Sequence, residues 1–484
     1  LFSLESKENK MFGFFKKDNT NRQKYTEKNN HVFENNNSKE KPIKFSSVEL
    51  RDGQQSLLAT RMKTEDMLPI ISKMDEVGFV CMEMWGGATF DACLRYTGDD
   101  PWDRIRQIKK LASKTPLRML IRGQNLVGYK QYPDDIVEKF VEKAAEAGID
   151  IFLVFDGLND LRNCEKVIET VKKNNKKVEG NIVYTESPVH SVEKYVEQAK
   201  EWQKLGVSAI HLEDMAGILV PEKAGKIIKA IKKEVNIPVH FQCHCTGGMA
   251  DIAYWEAIKA GVDVVDTDIS SLSLGTAHPP LESLVIALKD TPYDSKLNID
   301  LLKEINDYFL SMRKKYKEYE SMFTGVDVGV LKHKVPGGML SNLESQLKQM
   351  NALDRIDEVL DEVHQVFEDL GYPPLATPFS QMCGAQATVN VLTGERYKMI
   401  PSEVKTYIKG YYGKSPGEIK SELMEKVLKD EKPITCRPAD LLEPEFEKRK
   451  SEIGNLAKND EDVLTYALFP NLAVDFLKKK YNIK

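Results

Sequence analysis

From residue 44 to about residue 290 the chain alternates two hydrophobic patterns: short apolar runs, and longer stretches in which apolar residues recur every three or four positions. Val192, Tyr195, Val196 and Ala199 show the second pattern, which lays one apolar stripe along a helix. The short runs predict strands at roughly 44–52, 80–86, 117–123, 149–156, 179–185, 209–214, 238–244 and 263–269. They recur about every thirty residues, the size of a βα unit. Gly78, Gly148, Gly206 and Gly261 each stand where a helix pattern gives way to a strand, as a helix C-terminus requires when a residue there takes positive φ. Eight such units predict a TIM (β/α)8 barrel. An open doubly wound sheet is the alternative, but no Gly-x-Gly-x-x-Gly follows a strand.

Beyond residue 290 the alternation stops and the pattern turns helical, with helices expected at 300–318, 353–370, 402–410 and 417–428. Pro336–Asn342 reads as a loop, and Pro373–Gln381 cannot continue a helix, because proline lacks a donor and restricts its predecessor. The expected architecture is α/β: a TIM barrel over 44–290, followed by a mostly helical C-terminal region over 291–484. Residues 1–43, rich in Asn, Lys, Glu and Ser, are expected to form a disordered tail, within which Met11 is a candidate natural start.

Polar residues gather where the strands end: Arg51 and Asp52, Glu83 and Trp85, Arg122, Asp156, Glu213, His244 and Asp268. One such charge could be a buried ion pair. Seven strand ends together point to the C-terminal mouth of a barrel, where TIM barrels hold their sites. Composition narrows the field. With 41% hydrophobic and 30% charged residues the chain suits a globular protein, and its net charge of −5 gives no reason to expect nucleic acid or an anionic membrane as partner. No apolar run approaches the ~20 residues that span a bilayer. Seven scattered cysteines without Cys-x-x-Cys fit reduced thiols in a cytoplasmic setting.

Leu50-Arg-Asp-Gly-Gln-Gln-Ser-Leu-Leu-Ala-Thr-Arg61 resembles the opening of the carboxyltransferase domain of biotin-dependent enzymes: pyruvate carboxylase, the oxaloacetate decarboxylase α subunit and the pyruvate-specific subunit of transcarboxylase. Trp85–Asp91, Arg122–Asn125, Phe155–Asp160, Asp214–Gly217, Pro336–Leu343 and Arg437–Leu442 resemble further motifs of that family, and the likeness runs from about 44 to 482. The resemblance implies a TIM barrel with a helical C-terminal funnel, a divalent metal at the mouth, and transfer of CO2 between carboxybiotin on a biotin carboxyl carrier subunit and pyruvate or oxaloacetate. It implies that Arg51, Gln55 and Arg122 hold the keto acid, that Tyr129 and Asp91 lie near substrate and biotin, and that Thr377 moves the proton. It also implies a homodimer. The chain carries no Met-Lys-Met biotinylation signal, so biotin is expected on a partner subunit.

The family's metal ligands are an aspartate, a carbamylated lysine and two histidines spaced His-x-His. Here the matching positions are Asp52, Glu213, Gln242 and His244. Glu213 keeps an anionic oxygen donor, and Gln242 replaces an imidazole by a harder carbonyl. Such a set favours Mn2+ or Mg2+, with Zn2+ and Co2+ as alternatives. Gly53 and Gln54 stand where Ala and His are usual, and Asp268 where a small residue is usual. His240 and His211 are expected inside the barrel rather than on the metal. Two other readings stand beside the carboxyltransferase: an inactive homologue serving as a structural subunit, and a metal-dependent aldol or Claisen-type lyase.

Overall fold

In a computed structural model the described residues are 41–320, 325–335, 339, 343 and 346–483; residues 42–484 cluster as one compact unit. The tail expected over 1–43 lies outside the described residues except for its last three, of which Ile43 is buried and donates its N–H to the Tyr293 carbonyl.

Eight parallel strands close into a barrel in chain order: β1 (Lys44–Ser47), β2 (Met82–Trp85), β3 (Leu117–Ile121), β4 (Ile151–Val154), β5 (Lys177–Val183), β6 (Ala209–Asp214), β7 (Val239–Cys243) and β8 (Val264–Thr267). β1 closes the ring on β8 in the register Lys44 to Val264 through Ser47 to Thr267. Amphipathic helices cover the barrel. On Val192–Lys204, Tyr195 and Ala199 face the core, and Ser191 caps the first turn by accepting from the Lys194 N–H. The four joint glycines all take positive φ, from 74° at Gly206 to 129° at Gly148.

The strands end earlier than their apolar runs. β1 was expected to reach residue 52 but stops at Ser47, and Glu49–Gly53 winds one wide helical turn. The N–H groups of Arg51, Asp52 and Gly53 all converge on the Val48 carbonyl, the last spanning five residues. A single wide turn of this kind re-aims side chains, and here it turns Arg51 and Asp52 over the mouth.

The barrel interior is charged well below the mouth, where the strands were expected to be apolar. Arg118, fully buried on β3, donates Nε to Glu83 at 2.9 Å, lies 3.3 Å from Glu179 through Nη1, and pairs with Asp266 through Nη2. His211 Nε2 lies 3.0 Å from Asp266, so it is a hydrogen-bonded histidine inside the barrel. Asp156, a strand-end candidate, instead ties its own loop by accepting from the N–H groups of Leu158 and Asp160.

Past the barrel run helices Ile299–Lys315, Ile356–Asp369, Phe379–Thr393, Ser402–Ile408 and Ser421–Leu428. The proline-rich break is shorter than expected, because Phe379–Gln381 already lie in a helix. Of the loop expected at 336–342 only Met339 is described, and it is helical. Residues 335–428 build an apolar cluster of their own, whereas Phe446–Leu477 join the barrel's cluster. There Trp102 Nε1 donates to Thr465 at 3.1 Å, and Phe90 stacks on Phe469.

Removing Arg118 would leave Glu83, Glu179 and Asp266 buried together without their cation. Arg118→Ala is expected to lower stability by about 3–5 kcal/mol, read as a fall in the urea midpoint with little change in slope.

Candidate active site at the mouth of the barrel

The wide turn, the ends of β6 and β7, the segment after β3 and the turn before helix Phe379–Thr393 surround a cavity of about 180 Å3. Arg51, Asp52, Gln55, Arg122, Glu213 and Thr377 are among the residues that line it, with His244. These seven come from five separate stretches of the chain and were all expected at the site. Thr377 arrives from the helical region and is the only one of them outside the barrel segment; Gln381 Nε2 reaches its Oγ1 at 3.4 Å.

Asp52 is the most heavily contacted carboxylate. Its Oδ1 accepts from Ser56 Oγ at 3.0 Å. Its Oδ2 faces Arg51 Nη2 and Gln242 Nε2, both at 3.0 Å, and His244 Nε2 and His278 Nε2, both at 3.8 Å. Burial alone would raise its pKa, but Arg51, His244 and His278 more than offset burial and hold it below the ordinary aspartate value. Burial and then His278 lower His244 to about 4, so its imidazole is neutral at pH 7. His278 goes the other way: Asp268 overcomes burial and lifts it to about 9.

The two arginines of the cavity differ. Arg51 is committed, donating Nε to Glu83 at 2.5 Å beside its pairing with Asp52. Arg122 is half-buried, and it donates to the backbone carbonyls of Val127 at 3.2 Å and Gly128 at 2.9 Å. No carboxylate pairs with it among the described residues, and burial lowers its pKa. A guanidinium in that state is prepared for a carboxylate ligand, which its planar fork grips with two parallel bonds. Gly87 makes room for it: a Cβ there would stand 2.6 Å from Nη1 and Nη2.

The other expected residues lie around this centre. Tyr129 sits at the rim, its ring 5.3 Å from the Arg122 guanidinium carbon. Asp91 is held by Arg95 at 2.7 Å and does not line the cavity. Glu213 accepts from Asn181 Nδ2, and burial, then Asp52, raise its pKa. Gln242 turns a donor, not a lone pair, toward Asp52. Among the described residues the donor atoms that converge within 4.8 Å of one another belong to Asp52, His244 and His278. Of the expected ligands, Glu213 accepts from Asn181 and Gln242 points its amide N–H at Asp52; His278 was not among the expected ligands. One carboxylate and two imidazoles are a chemically sound set for a divalent metal. The signal that could have pointed to His278 was Asp268, a carboxylate unusual for the position, ten residues before it.

A family model described as HMGL-like matches residues 42–308, and one described as a conserved carboxylase domain matches 330–484. The chain is 56% identical to a pyruvate carboxylase subunit of Methanocaldococcus jannaschii over 90% of this chain and 78% of that protein. The chain belongs to the carboxyltransferase family of biotin-dependent enzymes. This carboxyltransferase is also 46% identical to the methylmalonyl-CoA carboxyltransferase 5S subunit of Propionibacterium freudenreichii, over 92% and 89% of the two chains. Its fold matches the carboxyl transferase domain of Rhizobium etli pyruvate carboxylase solved with pyruvate, at a TM-score of 0.86 and 33% identity, covering 91% of this chain and 78% of that one. No helix among the described residues is long and apolar enough to cross a membrane.

Gly87→Ala is expected to push the Arg122 guanidinium out of place. Calorimetric affinity for a small keto acid should fall about tenfold or more, the worth of a charge-assisted hydrogen bond, while the melting temperature stays near that of the parent.

Proposed function

We propose that this carboxyltransferase moves a carboxyl group between carboxybiotin, presented by a carrier subunit, and pyruvate, with oxaloacetate as the carboxylated partner. The observation that carries the reading is the pairing of an unneutralised half-buried cation, Arg122, with the Asp52, His244 and His278 donor set across one small cavity that Thr377 overlooks. The names of the relatives, pyruvate carboxylase subunits and a carboxyltransferase subunit, support it.

Arg122 grips the keto acid's carboxylate. Gln55, half-buried in the same wall, adds a neutral amide. Asp52, His244 and His278 would hold a divalent metal at the mouth, which would supply positive charge to polarise the keto oxygen and acidify the methyl group. Thr377 Oγ1 carries one methyl proton toward the biotin ring nitrogen, and the carboxyl group passes from that nitrogen to the methyl carbon. One proton and one carboxyl group thus exchange places, and the same path serves the reverse direction. Phe155, Leu120 and Met215 give the cavity an apolar lining that limits water. Tyr129 also lines a wider groove beside it, with Pro378, Gln381 and Tyr412, through which a biotinyl arm can approach Thr377. By family resemblance the chain works as a homodimer and in the cytoplasm.

Purified protein given carboxybiotin, pyruvate and Mn2+ or Mg2+ should form oxaloacetate, followed by coupled reduction to malate. Arg122→Gln should cut kcat/KM by roughly 100-fold. Thr377→Ala should cut kcat by roughly 100-fold or more, the worth of a positioned proton carrier, with KM little changed. An absence of turnover with every divalent metal, or a Thr377→Ala enzyme as fast as the parent, overturns the reading. A parallel assay with 2-oxoglutarate, the substrate named for a 45% identical relative from Hydrogenobacter thermophilus, tests the choice of keto acid.

A further inference from the structure

We propose that His278, on the loop after β8, is a metal ligand of this chain, that Asp268 is the carboxylate that orients it, and that residue 53 is glycine to leave room for that pair. The proposal deepens the carboxyltransferase reading and rests on it for the identity of the site.

The loop from Asp268 to Leu281 builds the arrangement. Asp268 Oδ2 accepts from the His278 backbone N–H at 3.1 Å and lies 2.8 Å from its Nδ1, so backbone and ring are fixed by one oxygen. Nδ1 is thereby committed to Asp268, and Nε2 faces Asp52 and the Gln242 amide. The same loop orients the other imidazole: the Thr276 carbonyl accepts from His244 Nδ1 at 2.6 Å, which leaves His244 Nε2 facing Asp52 as well. Metal-binding histidines characteristically give their second nitrogen to a carboxylate or a backbone carbonyl, and this loop supplies one of each. Both nitrogens stand 3.8 Å from Asp52 Oδ2, so the three donor atoms already surround one point between them.

Gly53 is the independent witness. Its φ of −57° is one that any residue adopts, so conformation does not demand glycine here. Space does: a Cβ on residue 53 would stand 2.4 Å from Asp268 Oδ1 and 2.8 Å from its carboxyl carbon. Gly53, Asp268 and His278 form one set, and changing any member displaces the others. Gln242 lies within this set but does not complete it, since its Nε2, 3.0 Å from Asp52 Oδ2 and 2.8 Å from His278 Nε2, fills with an N–H group the gap that a cation would bridge.

The test measures metal, not turnover. Apo-protein is titrated with Mn2+ and Co2+ against a chromophoric chelator, and the visible spectrum of the Co2+ form is recorded. The parent should bind one equivalent. His278→Asn should lower affinity at least 100-fold and change the Co2+ spectrum. Asp268→Asn and Gly53→Ala should each lower it about 10- to 100-fold, the usual cost of losing an orienting partner. Glu213→Gln should stay within about threefold, and thermal melting confirms that each variant is folded. Parent-like metal affinity in folded His278→Asn, or a loss confined to Glu213→Gln, overturns the proposal. Normal metal binding without carboxyl transfer would instead overturn the function and leave this ligand set standing.

Discussion

Glu83 is the residue on which the site's geometry depends. One of its carboxylate oxygens takes Arg51 from the mouth, and the other takes Arg118 from the barrel interior. Removing charges from water is costly, and a buried pair repays that cost only when every member is satisfied in good geometry. Here the partners continue through Asp266 to His211, then through Asn181 to Glu213, so a chain of polar contacts runs under the cavity from one wall to the other. Arg51 is therefore held from two sides while it lines the cavity. It fixes Asp52 from the side, and the wide turn that carries both residues has no freedom to unwind without breaking the network.

That constraint divides labour between the two arginines. A guanidinium that already faces two carboxylates has little left for a third. Arg122, half-buried and donating to backbone carbonyls, keeps its charge available at the wall of the cavity. The pair was expected to share one role. Their different neighbours give them different ones, and this difference follows from register: Glu83 sits on β2 beside β1 and β3, which places it between Arg51 and Arg118 and away from Arg122.

Much of the fold was legible because its signals are local. Eight apolar runs, glycines at helix ends and proline before Phe379 each report on their own few residues, and the strands and helices fall within a few residues of the expected bounds. The details that went unread depend on residues far apart in sequence. Arg118 looks like an interruption of an apolar run until β2, β5 and β8 bring three carboxylates to it. The wide turn at Glu49–Gly53 continues an apolar pattern that also suits a strand. Motif spacing named Arg122, Gln55 and Thr377 as cavity residues, because a family motif encodes such distances, but it could not carry His278, which lies in no matched motif. Only the unusual residues at 53 and 268 hinted at it, and their meaning appears once both are seen in contact.

Charge balance gives the proposed ligand set its chemical sense. Asp52, Glu213 and two neutral donors would neutralise a divalent ion completely. Glu213 is instead buried, accepts from Asn181 and stands outside the proposed ligand set, with burial raising its pKa. Asp52 with two imidazoles, His278 giving up its proton as the metal binds, would leave a divalent ion one unit of net positive charge, and Arg122 contributes a second across the cavity. The enolate of a keto acid carries two negative charges, one on its carboxylate and one on its oxygen, whereas the keto acid itself carries one. A site with two positive charges stabilises the enolate more than the substrate, and only such differential stabilisation lowers a barrier. Exchanging one imidazole position for another, with Asp268 and Gly53 adjusted around it, keeps two imidazoles beside Asp52.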